Sequence, residues 1–428
     1  MPASQPPQQR RSQGPVLDFF ADLGPGLITG AADDDPSGIA TYSVTGAAFG
    51  YGLLWTALFA FPMMAAVQLM CSRLGMITGR GLAAVVRRRY SRWVLWGACL
   101  LLTVANVINI GADLGGMAEA MDMMTGINSL WWTPVFGGFL VAMLFRTSYR
   151  VIARTFKWLT MVLFAYVFTA FLAKPDWTHV LRATLVPEMR WSSEYLSVLV
   201  GVLGTSISPY LFFWQTAQEV EEERSEGKNT VAQRRGATVK ELRRARRDVI
   251  TGMFFSNFVM YFIILTTAST LHAHGVTKIA TARQAAEALR PLAGDAAYLL
   301  FTIGLIGTGM LGVPVLAGSS AFAISEAMAW GATLDRKPSV TPKFYGVLTV
   351  AMALGVGLDY AGLDAVRMLF WSAVVNGVLA PPLIVLVVML TSDRNVMGEH
   401  VSPPLLRWLG WITAGVMTAA AAAMFVAG

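Results

Sequence analysis

Charge is scarce in this chain. Asp, Glu, Lys and Arg make up 14% of its 428 residues, well under the roughly 25% of soluble domains. Cysteine is nearly absent: Cys71 and Cys99 both lie inside apolar runs, so no disulfide framework staples the fold. The four histidines show no Cys/His spacing of a zinc site. No Ser/His/Asp or Cys/His set is present for nucleophilic chemistry, so the chain is not expected to be an enzyme. The first fourteen residues, MPASQPPQQRRSQG, lack the apolar stretch of a cleavable signal peptide; residues 1–22 are expected to form a disordered cytoplasmic tail. What the chain does have is 55% hydrophobic residues, gathered into uncharged runs as long as a membrane span.

These runs place eleven helices near 24–48, 52–71, 94–120, 132–146, 153–173, 194–218, 249–270, 297–328, 344–357, 366–391 and 408–427. The fold class expected is all-α, a polytopic membrane protein. With the N-terminus in the cytoplasm, 26 of the 33 Lys and Arg fall in cytoplasmic segments and 7 outside. That bias predicts an inner (plasma) membrane protein with its N-terminus in and its C-terminus out. It also accounts for the net charge of +7: the run Arg243–Arg247 reads as a loop facing anionic headgroups, not as a nucleic-acid surface.

Two spans carry helix breakers at mid-depth, where freed backbone groups are tolerated only beside a protein-lined cavity. The first contains Asp33-Asp34-Asp35-Pro36-Ser37-Gly38 and the sixth Gly204-Thr205-Ser206-Ile207-Ser208-Pro209-Tyr210. Pro36 and Pro209 are 173 positions apart, and the two spans run in opposite directions. The pattern predicts inverted five-helix repeats, 23–173 and 194–391, separated by an outer loop, 174–193, and followed by an eleventh helix within 392–428. Broken helices paired in inverted halves mark a transporter's midplane site, where unwound carbonyls offer oxygen to cations.

A carboxylate at the bilayer centre costs at least about 2.5–3.5 kcal/mol, so it needs a cavity, a partner or a metal. Three consecutive acids cannot share one helix face. Asp35, beside Pro36 and with no Lys or Arg at its depth, is the expected cation ligand. Asp33 and Asp34 are expected to line the water path or to pair elsewhere. From the sixth span, either backbone carbonyls near Thr205 and Ser206 or side chains serve as ligands, and the residues leave that choice open.

These residues resemble a known family. Asp35-Pro36-Ser37-Gly38-Ile39-Ala40-Thr41, followed by Phe49-Gly50-Tyr51-Gly52, is similar to the DPGN-containing first helix of the NRAMP (natural resistance-associated macrophage protein) divalent-metal transporters. Ile306-Gly307-Thr308-Gly309-Met310-Leu311 with Val313-Pro314-Val315-Leu316-Ala317-Gly318 resembles that family's eighth helix. Arg246-Arg247-Asp248 with Thr251-Gly252-Met253 and Ser256-Asn257 resembles its sixth-to-seventh junction. The resemblance implies a leucine-transporter-type fold, alternating access, and a divalent cation as cargo with no cofactor. It implies a metal set of Asp35, Gly38, Thr205, Ser206, Ser208 and Tyr210.

The departures from the family pattern point to the ion. The first-helix Asn is replaced by Gly38, and the sixth-helix MPH triplet by Ser208-Pro209-Tyr210. The third helix has Asp113 and then Gly116 where the family has Asp and then Glu, and the tenth has Ala373 for Gln. Thioether and imidazole favour transition metals, whereas oxygen donors favour Mg²⁺ and Mn²⁺. Smaller side chains leave room for the waters that Mg²⁺ keeps. The pattern is similar to the NRAMP-related magnesium transporters, and predicts uptake of Mg²⁺ with Mn²⁺ second. Losing the His and the Glu leaves Asp113 and Glu119 as relay candidates in the third span, which predicts weak or absent proton coupling.

Other signals are weaker. Glu326 and Asn376 either face the permeation path or bridge helices. Gly307–Gly312 matches G-x-G-x-x-G but lacks a preceding strand, so it reads as close helix packing. His272 and His274 read as solvated, with a metal-collecting vestibule the alternative; the run Glu219, Glu221, Glu222, Glu223 reads as solvated, with an exit or regulatory metal site the alternative. Two rival functions remain: a proton-coupled Mn²⁺/Fe²⁺ importer of conventional NRAMP type, and a sodium-driven carrier of small organic solutes. The expected partners are the divalent ion and the bilayer. The oligomeric state stays open, and a monomer is compatible with the sequence.

Overall fold

The computed structural model describes residues 24–147, 151, 161–331, 333–334, 338–361 and 364–427. The expected tail 1–22 and most of the first half of the span 153–173 lie outside them. Among the described residues the chain is helical and contains no strand. The first span is α1 (Pro25–Asp33) and α2 (Pro36–Phe49), followed by α3 (Trp55–Thr78), α4 (Leu82–Arg89), α5 (Arg92–Thr125) and α6 (Ser129–Arg146). The fifth is seen from Met161 and ends in α7 (Phe164–Leu172); α8 (Trp177–Leu185) lies in the connection after it. The sixth is α9 (Ser193–Ser206) and α10 (Pro209–Ser225). Then come α11 (Val239–Thr270), α12 (Ala297–Ala327), α13 (Pro342–Asp359), α14 (Ala365–Ser392) and α15 (Pro404–Ala427).

Among the described residues, eight helical stretches are long and apolar enough to cross a membrane. The first span falls short of that length because its break divides it into pieces of 9 and 14 residues. Hydropathy underestimates some helix ends. α11 begins at Val239 rather than near 249, because Thr238 and Glu241 form a capping box. The Glu241 amide donates to Thr238 Oγ1 at 3.2 Å and the Thr238 amide to Glu241 Oε2 at 2.7 Å, satisfying two free donors at the helix start.

Glycine lets backbones touch at two places. A Cβ on Gly30 would lie 2.3 Å from the Gly252 carbonyl oxygen, and one on Gly252 would lie 2.2 Å from that of Gly26, so α1 and α11 meet main chain to main chain. Asp248 completes that seam by accepting the amides of Gly24, Gly26 and Leu27 at 2.9, 2.6 and 3.1 Å. A carboxylate here satisfies the free N–H groups and the positive end of α1. On the other side of the break, a Cβ on Gly204 would lie 2.2 Å from the Ala373 carbonyl oxygen, and one on Gly377 2.4 Å from that of Val200, joining α9 to α14. The half-helices that end at the two breaks are thus each sealed, one toward the face where α1 begins and one toward the opposite face. We refer to the former as the basic face.

Candidate metal site

The two breaks are built alike. α1 ends at Asp33, Asp34 turns out of the helix (φ −84°, ψ 54°), and Asp35 is extended (φ −70°, ψ 172°) before Pro36 starts α2. α9 ends at Ser206, Ile207 turns out (φ −120°, ψ 58°), and Ser208 is extended (φ −75°, ψ 129°) before Pro209 starts α10. Proline explains both: it forces the preceding residue out of the helical region and suits the first helical position, where its missing N–H is no loss. Each break therefore presents the carbonyl end of one half-helix and the N–H end of the next.

Asp35 sits between them, 1% exposed. Its Oδ1 accepts the Ser37 hydroxyl at 2.6 Å and the Gly38 amide at 2.9 Å, capping α2 where the helix dipole favours a negative charge. Its Oδ2 accepts from Asn109 Nδ2 at 3.2 Å and from the Tyr210 hydroxyl at 3.1 Å. That hydroxyl also lies 3.2 Å from the Ala32 carbonyl oxygen, so Tyr210 ties the two breaks together. Among the described residues, no Lys or Arg pairs with Asp35. The carboxylate is held entirely by neutral donors.

The other expected residues fall into groups. Gly38 faces Thr205: a Cβ there would lie 3.2 Å from Thr205 Oγ1, so a larger side chain at this position would press on Thr205. Ser208 turns its hydroxyl back to the carbonyls of Gly204 and Thr205, at 2.9 and 2.8 Å. Ser206 lies 3.3 Å from the Tyr42 hydroxyl and 3.1 Å from Met260 Sδ, which places a thioether at the margin of the site. Asp113 Oδ1 accepts the Ser37 amide at 3.2 Å and its buried Oδ2 has no partner. Asp33 Oδ2 accepts the Ser256 hydroxyl at 2.6 Å, Asp34 lies 3.3 Å from the same hydroxyl, and Asp33 Oδ1 is unpartnered. Removing that hydroxyl by Ser256→Ala should leave both Asp33 oxygens unsatisfied and cost about 1–3 kcal/mol, read as a lower melting temperature of the purified protein.

Glu119, Glu326 and Asn376 make no hydrogen bond to Asp35. Glu119 accepts the Ala282 amide at 2.9 Å near the far end of α5. Glu326 accepts the Ala84 amide at 3.2 Å at the start of α4, where Gly81 leaves it room. Asn376 is buried with both amide atoms unpaired, one turn beyond Ser372, which donates to Asn109 Oδ1 at 2.7 Å. The acidic run is not solvated as a whole: Glu219, Glu221 and Glu223 are buried because α10 turns them toward its neighbours. His272 is half-buried and bonded to the Ala47 carbonyl, while His274, bonded to the Thr270 carbonyl, is exposed. The glycines of Gly307–Gly312 pack closely, Gly312 against Asp35 Cβ and Gly309 against Pro36 and Met117.

Sequence reasoning missed Ser37, Tyr42, Asn109, Ser256 and Met260. Asn109 carried a signal, since Asn106, Asn109 and Asp113 recur at helical spacing within an apolar run.

Comparison with known proteins extends the likeness to the whole chain. The chain is 27% identical over 399 residues to the divalent metal cation transporter MntH of Yersinia enterocolitica, spanning 91% of this chain and 90% of that one. It is 28% identical over 427 residues to that of Deinococcus radiodurans, spanning 96% and 91%. Its fold is similar to the crystal structure of the Eremococcus coleocola manganese transporter in complex with an aromatic bis-isothiourea compound. The TM-score is 0.75 at 19% identity, over 96% of this chain and 87% of that one. A second likeness is to Mhp1, a nucleobase-cation-symport-1 family transporter, with a TM-score of 0.60 at 16% identity over 95% and 92%. These likenesses give the leucine-transporter-type fold. The family model described as natural resistance-associated macrophage protein-like matches residues 26–427, and the chain belongs to that family, Nramp.

Proposed function

We propose that the protein carries a divalent cation across the membrane through the paired breaks, Mg²⁺ first and Mn²⁺ second, by alternating access and with little or no proton movement. It is a transporter and not an enzyme. The observation that carries the reading is Asp35: a buried carboxylate at an unwound point, held by neutral hydroxyl and amide groups and by no base. A cation is its natural counter-charge. Its surroundings offer mainly oxygen, from Thr205, Ser208, Tyr210 and the open carbonyls of α1 and α9, which suits hard ions. Met260 at the margin is consistent with Mn²⁺ as the second ion. The named relatives are divalent metal cation transporters, which supports the substrate class.

In this reading the basic face is cytoplasmic, and 23–173 and 194–391 are inverted repeats. Opening the α1–α11 seam exposes the site to the cytoplasm, and opening the α9–α14 seam exposes it to the outside. Inward movement of a doubly charged ion down the potential yields about 4.6 kcal/mol per 100 mV, so no second driving ion is required. Proteoliposomes test both halves of the claim. Mg²⁺ influx, inhibited by Mn²⁺ and unaccompanied by acidification of the lumen, is the expected result. Fe²⁺ or Cd²⁺ transport without Mg²⁺ flux overturns the ion assignment, and acidification in step with influx overturns the coupling. One observation favours the second reading, a proton-coupled Mn²⁺/Fe²⁺ importer: Asp113, with an unpartnered oxygen, remains available as a proton carrier beside Ser37.

A further inference from the structure

Carboxylates outnumber bases at a second place. Where α10, α11 and the start of α1 meet on the basic face, one cavity is lined by Glu219, Glu222, Glu223, Glu226, Glu241 and Asp248, opposed by Lys228 and Arg244. Six acids thus line it with two bases, and Arg234 adds a third positive charge near Glu223. Glu219 and Glu223 are each 5% exposed. Glu223 Oε1 lies 3.6 Å from Lys228 Nζ, and its buried Oε2 has no partner. The same ammonium lies 3.1 Å from Glu241 and 3.5 Å from Glu226, so one positive charge is shared among three carboxylates.

Lys228 is placed there by its backbone. Its carbonyl accepts from Arg234 Nη1 at 2.8 Å, and Arg234 is itself buried, with Nε directed at the Gly79 carbonyl at 3.4 Å. The Gly236 amide fixes the same strap to the Ile77 carbonyl at 2.9 Å. The cavity is also wired to the first span. Glu219 Oε1 accepts from Ser72 at 2.6 Å and from Gln215 Nε2 at 2.9 Å, while Thr29 of α1 donates to Gln215 Oε1 at 2.6 Å.

We infer that this mouth is a second divalent-cation site, formed chiefly by Glu219 and Glu223, whose place is taken by the Lys228 ammonium while the path is closed. The inference rests on the proposed divalent cargo. A hydrated divalent ion is held by one or two carboxylates plus water, and it neutralises this acid excess better than a single ammonium on a flexible stem. An ion leaving Asp35 toward the basic face meets this cavity next and releases Lys228. Binding at Glu219 also disturbs the bonds that run through Gln215 to α1, so occupancy of the mouth bears on the α1–α11 seam.

Mn²⁺ binding to the purified full-length protein, counted by the electron paramagnetic resonance of free Mn²⁺, tests this. Two ions are expected in the wild type, one in Asp35→Asn, one in Glu223→Gln and none in the double variant. In the Asp35→Asn background, Lys228→Gln should tighten the remaining ion by about tenfold or more, because a like charge at contact distance is removed. If the wild type binds one ion and Asp35→Asn none, the mouth site is overturned and the transport reading stands. If both bind the same single ion and Glu223→Gln loses it, the mouth site stands and the transport reading falls. Unchanged affinity on Lys228→Gln overturns the role of Lys228; that variant alters a half-buried side chain on the strap and carries the test even where Glu223→Gln does not fold.

Discussion

Asp35→Ala is expected to reduce Mg²⁺ and Mn²⁺ uptake by roughly a thousandfold. A contact between unit charges in a protein of effective dielectric about 20 is worth about 4 kcal/mol, and each 1.4 kcal/mol is about tenfold in affinity. The variant also loses the cap on α2, a stability cost of about 1 kcal/mol. Asp35→Asn keeps an oxygen for Ser37 and Gly38, and so the cap, while it removes the charge and turns an amide NH2 toward the donors Asn109 and Tyr210. Uptake should fall nearly as far in Asp35→Asn, with the melting temperature closer to wild type. Asn109→Ala removes one donor to Oδ2 and should act much more weakly. Uptake by Asp35→Asn within a few-fold of wild type, measured in proteoliposomes at equal protein content, is incompatible with a charge-based site.

The second large effect is expected at the glycine seams. Gly30→Val and Gly204→Val should each abolish uptake, on opposite sides of the membrane. In both cases the new Cβ meets a backbone oxygen, at 2.3 Å for Gly30 and 2.2 Å for Gly204. A backbone atom cannot step aside as a flexible side chain does, so the helices must separate. Gly30→Val should hold the seam open on the basic face and Gly204→Val on the other, while Asp35 still binds Mn²⁺. A cysteine introduced at Thr205 reports the difference through a membrane-impermeant thiol reagent applied from each side; Cys71 and Cys99 are buried and give little background. Wild-type turnover in either variant would mean that these seams do not close during transport.

The spans and the two breaks were legible because hydropathy and proline act locally. Pro36 and Pro209 alone require Asp35 and Ser208 to leave the helix, and the structure has both extended. Residues brought in from other helices were not legible. Nothing adjacent in sequence tells that Ser256 on α11 reaches Asp33, or that Asn109 on α5 reaches Asp35. The acidic run on α10 looked solvated because sequence shows charge but not the Ser72, Gln215 and Lys228 groups that receive it. In sequence, Glu119 reads as a relay candidate and Glu326 as facing the path or bridging helices. Each accepts a backbone amide at a helix start, a use that depends on where another segment ends.

The bridge made by Tyr210 sets a threshold for loading. An arriving ion competes with contacts the empty protein already makes, and each neutral hydrogen bond it displaces weakens capture by about 1 kcal/mol. On the proposed reading, such self-saturation would suit the carrier to a plentiful ion and not to a trace one.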